Sequence, residues 1–170
     1  MTGLSGAGKS TIAKKLLEFL KNNNHNAYVL DGDVLRKGLN SDLGFSDNDR
    51  KENVRRTGEV AKILYSANVT VIGALISPFR VDREKIRQLF PADCFVEIFV
   101  DCPLPVCEQR DVKGLYAKVR KGEISSFTGI DSTYEKPLHP ELHLQTDEMT
   151  VDECVLEITE YLKKLNTAAL

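Results

Sequence analysis

The sequence predicts an α/β domain with a mostly parallel sheet, its strands and helices alternating along 170 residues. Three observations carry the prediction. The stretch GLSGAGKST, Gly3 to Thr11, is a glycine-rich loop of the pattern G-x-x-x-x-G-K-[ST]. Short apolar runs rich in Val, Ile and Phe recur further along, and amphipathic segments of helical period separate them.

The elements follow in chain order. In the loop, glycines let successive N–H groups turn inward around an anion, and the following helix adds its positive end. Gly6, Ala7, Gly8, Lys9, Ser10 and Thr11 form the predicted phosphate cradle. Lys9 is suited to the β- and γ-phosphates of ATP, and the Ser10 hydroxyl to Mg²⁺. Ile12, Leu16, Phe19 and Leu20 give the next helix its apolar stripe. A loop of this kind ordinarily follows a strand, yet only Met1 and Thr2 precede it. The expectation is a truncated first strand, or one domain cut from a longer or fused chain.

AYVLD (Ala27 to Asp31) reads as the next strand, and NVTVIGALIS (Asn68 to Ser77) as a strand buried on both faces. CFVEIFVD (Cys94 to Asp101) reads as a third and ELHLQT (Glu141 to Thr146) as a weaker fourth. A long helix is expected from Ser46, with Asp49 three residues on completing a capping signal, and with Val54, Ala61 and Leu64 facing inward. Thr150 and Glu153 open a C-terminal helix in the same way, with Val151, Cys154, Val155, Ile158, Leu162 and Leu165 on its docking face.

Composition excludes several classes. A 42% apolar and 28% charged chain with a net charge of −2 is an ordinary globular composition. That balance argues against general nucleic-acid or membrane-surface binding. No apolar run is long enough to span a bilayer and no secretory leader is visible, which points to the cytoplasm. The four cysteines, Cys94, Cys102, Cys107 and Cys154, have no zinc-like spacing. Buried thiols are expected for Cys94, Cys102 and Cys154, in keeping with a reducing compartment.

The acceptor site has to be read from other segments. The strand AYVLD runs into DGDVLR, with Asp31, Asp33 and Arg36. Ligands of open parallel sheets gather at the carboxyl ends of strands, so Asp33 is placed to face the γ-phosphate as proton acceptor or Mg²⁺-water partner. Capping of the next helix is the competing role for Asp31 and Asp33. Arg50 and Asn53 lie three apart on one helix face, with Phe45 just before it. Ser77, Phe79, Arg80 and Arg83 end the second strand segment. Arginines from three segments are suited to converge on one anion, although Arg55 and Arg83 are equally suited to be solvated helix charges. RDVKGLYAKVRKGEISSFTGID reads as a mobile basic lid, with Lys113 and Arg120 as candidate contacts to ATP. Phe45 and Phe127 are placed to stack on a purine, or else to anchor their loops.

Together GLSGAGKST, DGDVLRKGL, GFSDNDRKENVRRTGEVAK, ISPFR, DCPLPVCEQRDVKGLY and FTGIDSTYEKP resemble the adenylyl-sulfate kinase (APS kinase) family, a group of P-loop kinases. The likeness runs from Gly3 to about Pro137, and is weaker in LHPELHLQTDEMTVDE beyond it. It implies a P-loop NTPase fold over one domain, 1–170, with a mobile lid. It implies transfer of a phosphoryl group from ATP to the 3′-hydroxyl of adenylyl sulfate. By resemblance Asp33 is the base or Mg²⁺-water partner. Arg36, Arg50, Asn53 and Arg80 bind the acceptor, as do Ile76 and Ser77 through their backbone. Phe45, Ser126 and Phe127 surround its adenine, and Lys113 and Leu115 belong to the lid. In some members the serine matching Ser77 is described as a phosphorylated intermediate. In-line transfer requires none, and Ser77 stands as a catalytic candidate beside Lys9 and Asp33. The resemblance further implies a homodimer and association, covalent or functional, with ATP sulfurylase.

Two other readings remain at this level: a small P-loop kinase for a nucleoside monophosphate, shikimate or gluconate, and a nucleotide-dependent switch. The sequence lacks the N-K-x-D motif of guanine-binding switches.

Overall fold

In the computed structural model, which describes residues 1–165, the loop Gly3–Gly8 leads into α1 (Lys9–Asn22). The last five residues of the domain expected over 1–170 lie outside the described residues. Beyond α1 come β1 (Ala27–Asp31), α2 (Gly32–Leu35), α3 (Asp47–Ser66), β2 (Thr70–Ala74) and α4 (Arg80–Arg87). A 3₁₀ turn (Ala92–Cys94), β3 (Ile98–Asp101), α5 (Leu104–Arg110), α6 (Leu115–Arg120), β4 (Leu142–Gln145) and α7 (Val151–Lys164) complete the chain.

β1 pairs in parallel with β2, and β3 in parallel with β4. Met1 and Thr2 join the two pairs. The Met1 ammonium donates to the Gly73 carbonyl at 2.8 Å, and the Leu75 N–H donates to the Met1 carbonyl at 3.3 Å. On the other side, the Thr2 N–H donates to the Ile98 carbonyl and the Val100 N–H to the Thr2 carbonyl, both at 2.9 Å. Met1 and Thr2 thus occupy the place of the strand expected before the loop, between β2 and β3. Below them, β2 and β3 stay apart around a trench of about 1000 Å³, whose lining includes Val71, Gly73, Val96 and Ile98.

Local chemistry explains the helix starts. Ser46 and Asp49 form a reciprocal capping box before α3, and Thr150 and Glu153 do the same before α7. α1 packs on α7, β1 and β2, while α3 packs on β2 and α4. Ile12, Leu16 and Leu20 meet Val100, Leu144, Val155 and Ile158 in the core.

Two expectations are corrected. The run Asn68 to Ser77 is a strand only over Thr70–Ala74, and just Ile72 and Ala74 in it are fully buried. Cys94 is exposed, because the chain there forms a 3₁₀ turn and β3 starts only at Ile98. Cys102, Cys107 and Cys154 are buried free thiols.

Candidate active site

The loop closes on itself before it can close on a ligand. Gly8 enters α1 with φ 99°, a left-handed conformation that a side chain resists. Lys9 folds its ammonium back onto the loop, donating to the Gly3 carbonyl at 2.8 Å and the Leu4 carbonyl at 2.6 Å. Burial, followed by the nearby Lys113 charge, lowers its pKa from 10.5 to about 8. Ala7 is fully buried, and its carbonyl accepts the Thr146 hydroxyl at 2.9 Å. Tyr116, from α6, donates to the Ser5 carbonyl at 2.8 Å. The loop is thus pinned from the end of β4 and from the lid.

Ser10 donates to the Asp31 carboxylate at 2.6 Å. Asp31 also accepts the Asp33 N–H at 2.9 Å and so caps α2. Of the two carboxylates, Asp31 takes the capping role and Asp33 is left with an exposed side chain, ion-paired to Lys113 of the lid. A serine hydroxyl beside a carboxylate at the loop suits a hydrated Mg²⁺ that takes its other ligands from phosphates. Among the described residues no cluster of three or more His, Cys, Asp or Glu is arranged to hold a metal by itself. The chain's own share of such a site is consequently small.

The second half of the site is organised by two arginines. Arg36 donates to the carbonyls of Leu43 and Gly44 and lies 4.5 Å from the centre of the Phe45 ring. Arg50 is buried, donating from Nε to the Phe45 carbonyl at 3.0 Å and from a terminal nitrogen to the Ser126 carbonyl at 2.5 Å. It therefore ties the Phe45 loop to the Ser126–Phe127 segment, although 76 residues separate Arg50 from Ser126. Asp131 accepts the Ser126 and Phe127 N–H groups and shapes that turn. Phe45 is exposed, whereas Phe127 is half-buried edge-on to Tyr116. Asn53 is buried one turn beyond Arg50, its Oδ1 accepting from Asn40 at 3.0 Å.

The remaining predicted residues are placed less directly. Ser77 has φ 40° and Ile76 precedes it at the carboxyl end of β2, its carbonyl accepting the Thr2 hydroxyl at 2.7 Å. Arg80 is exposed and donates to the Lys136 carbonyl, while Arg120 is held by Glu108. Leu115 begins α6 and is half-buried. Arg83 does not converge on an anion site. It is buried against Glu97 at 2.6 Å and also donates to the Ser77 and Glu135 carbonyls. Arg55 pairs with Glu52 on the surface of α3. Thr146, Tyr116 and Asp131 were not singled out by sequence. Thr146 alone left a usable signal, its place at the carboxyl end of a parallel strand.

The chain matches the adenylylsulphate kinase family model over residues 1–145. An adenylyl-sulfate kinase of Marinobacter nauticus is 56% identical over 163 residues, covering 96% of this chain and 82% of that protein. The Mycobacterium tuberculosis APS kinase CysC, solved in complex with AMPPNP and APS, is 48% identical. It superposes with a TM-score of 0.91 over 95% of this chain and 94% of its own. The hexameric APS kinase from Thiobacillus denitrificans is 33% identical with a TM-score of 0.69, over 96% of this chain and 28% of that one. The glycine-rich loop, the acidic end of β1 and the Arg50 bridge between the Phe45 and Ser126 carbonyls thus occur together in a chain that belongs to the adenylylsulphate kinase family.

Proposed function

We propose that this protein transfers the γ-phosphoryl group of ATP to the 3′-hydroxyl of adenylyl sulfate, giving ADP and 3′-phosphoadenylyl sulfate. The observation that carries the reading is the bridge made by Arg50 between the Phe45 and Ser126 carbonyls; in this reading the two segments wall one acceptor site. The phosphate loop follows Met1 and Thr2, which bond to β2 and β3, and Asp33 lies just beyond the carboxyl end of β1.

The roles follow from the chemistry of each group. Loop N–H groups of Gly6 to Thr11 and the Lys9 ammonium bind the ATP phosphates. Arg36 and Arg50 neutralise the phosphate–sulfate anhydride, and Phe45 and Phe127 flank the adenine. Asp33 accepts the proton of the attacking hydroxyl as the new P–O bond forms and the bond to ADP breaks. Lys113, paired with Asp33 in this structure, turns to the phosphates as the lid closes in this reading. Ser10 and Asp31 would hold a Mg²⁺ ion, which would supply positive charge to the phosphate oxygens. The Ser77 hydroxyl takes no covalent part, because a positioned acceptor allows direct in-line transfer.

The test measures ADP release from ATP with adenylyl sulfate, AMP, shikimate or gluconate as acceptor, together with the position of the new phosphate by ³¹P NMR. Adenylyl sulfate is expected to be preferred, with the phosphate on the 3′-oxygen. Faster turnover of another acceptor overturns the assignment. A cytoplasmic homodimer, functionally coupled to ATP sulfurylase, completes the proposal, and light scattering of the purified protein checks the dimer. Among the described residues no helix is long and apolar enough to cross a membrane.

A further inference from the structure

Asn40 is a polar side chain in an expensive position. It lies between α2 and α3 and is 0% exposed. Its backbone is satisfied, its N–H donating to the Leu35 carbonyl at 2.9 Å and its carbonyl accepting from Leu43 at 3.2 Å. Its side-chain Nδ2 donates to Asn53 Oδ1 at 3.0 Å. Its Oδ1 is sealed from solvent with no partner. A buried acceptor left unmet destabilises the fold, so packing alone does not account for an amide here.

The bond to Asn53 does. A carboxamide offers a donor on one side and an acceptor on the other, and its neighbours decide which side faces out. Asn53 is 7% exposed. Its oxygen is engaged inward by Asn40, while among the described residues its Nδ2 donates to no protein group and is not among the sealed polar atoms. It stands three residues after Arg50, on the helix face that bridges the acceptor pocket. The ionised anhydride of adenylyl sulfate offers only accepting oxygens. An outward NH₂ is attractive to them and an outward carbonyl repulsive.

We propose that Asn40 is a positioning residue for the acceptor: by donating to Asn53 Oδ1, it fixes that amide with its NH₂ turned toward adenylyl sulfate. The inference rests on the reading that Asn53 touches the acceptor, so the experiment separates the two. Asn53→Ala tests the reading itself and is expected to raise the KM for adenylyl sulfate about tenfold, the usual scale for one lost hydrogen bond to a charged group. Asn40→Asp tests the inference. An acceptor-only carboxylate attracts the Asn53 NH₂ inward and turns its oxygen out.

Asn40→Asp is expected to raise the KM for adenylyl sulfate at least as much as Asn53→Ala does, with the KM for ATP and kcat little changed. In an Asn53→Ala background it is expected to add nothing, because the amide it turns is gone. If Asn53→Ala leaves KM unchanged, Asn53 does not touch the acceptor. If Asn53→Ala raises KM but Asn40→Asp does not, or if their effects add in full, Asn40 is only a structural residue and the inference is overturned. Should Asn40→Asp fail to fold, Asn40→Ala takes its place in the same cycle. The freed amide is then expected to give a smaller rise that again vanishes beside Asn53→Ala.

Discussion

Nucleotide affinity should weaken with rising pH through the range in which Lys9 loses its proton. Lowering the Lys9 amine from its ordinary 10.5 to about 8, chiefly by burial, means that its surroundings together disfavour the charged form by about 3 kcal/mol. Lys113 adds to the depression, and Cys107, Asp33 and Asp31 oppose it. Phosphate oxygens replacing the Gly3 and Leu4 carbonyls around Nζ favour the ammonium strongly and return its pKa toward the ordinary range. The sign follows: the free protein must take up a proton on Lys9 to bind nucleotide above about pH 8, and need not below it. With a free value of about 8, linkage makes the Kd for ADP roughly tenfold weaker at pH 9 than at pH 7. Calorimetric titration of ADP with Mg²⁺ from pH 6.5 to 9.5 measures it. Lys9→Arg, charged throughout, should bind ADP with a flat profile over that range. A flat wild-type profile, or an equal slope in Lys9→Arg, would refute the assignment of the effect to this amine.

Three further outcomes are expected. Asp33→Asn should retain adenylyl sulfate binding by calorimetry but lose about 10²–10⁴-fold in kcat, the usual span for a removed general base. Near-normal turnover removes Asp33 from the chemistry. Arg50→Ala leaves the Phe45 and Ser126 carbonyls without their donor and should weaken adenylyl sulfate binding by about 1–3 kcal/mol, with the Kd for ADP little changed. An unchanged Kd for the acceptor would sink the bridge. Gly3→Ala should abolish soluble expression or lower Tm sharply, because its Cβ would stand 2.2 Å from the Val100 carbonyl oxygen at φ 149°.

The features legible in the sequence are those decided within a few residues. The loop Gly3 to Ser10 specifies its own turn, and the pairs Ser46–Asp49 and Thr150–Glu153 cap helices across three residues. Arg36, Arg50 and Arg80 stood out as candidates because each lies beside a strand end or an aromatic, and Asn53 because it lies three residues from Arg50 on one helix face. What stayed hidden was decided by partners far along the chain. In sequence Arg83 was as suited to a solvated helix charge as to an anion, and only the folded chain brings Glu97 and the Glu135 carbonyl to it. Cys94 borders an apolar run, but the strand in that run begins four residues later. Asp31 and Asp33 are chemically identical in sequence. Their roles part because the first reaches Ser10 and the α2 N-terminus while the second reaches Lys113.

The phosphate loop must hold its shape against the repulsion of bound phosphates, and contacts from several segments support it from the sides. Thr2 is gripped through its backbone by Ile98 and Val100, and its hydroxyl donates to Ile76 and lies 3.0 Å from the Tyr134 hydroxyl. Tyr134 in turn stacks on Phe99. Further along, Tyr116 holds Ser5 and Thr146 holds Ala7. Each contact comes from a different segment, and two of those segments also carry the site: Ile76 precedes Ser77, and Tyr116 lies on the lid helix behind Lys113. The loop's geometry is consequently tied to the acceptor strand end and to the lid. In the proposed reading, closure of the lid over ATP would have a direct route to the loop through the Tyr116–Ser5 hydrogen bond.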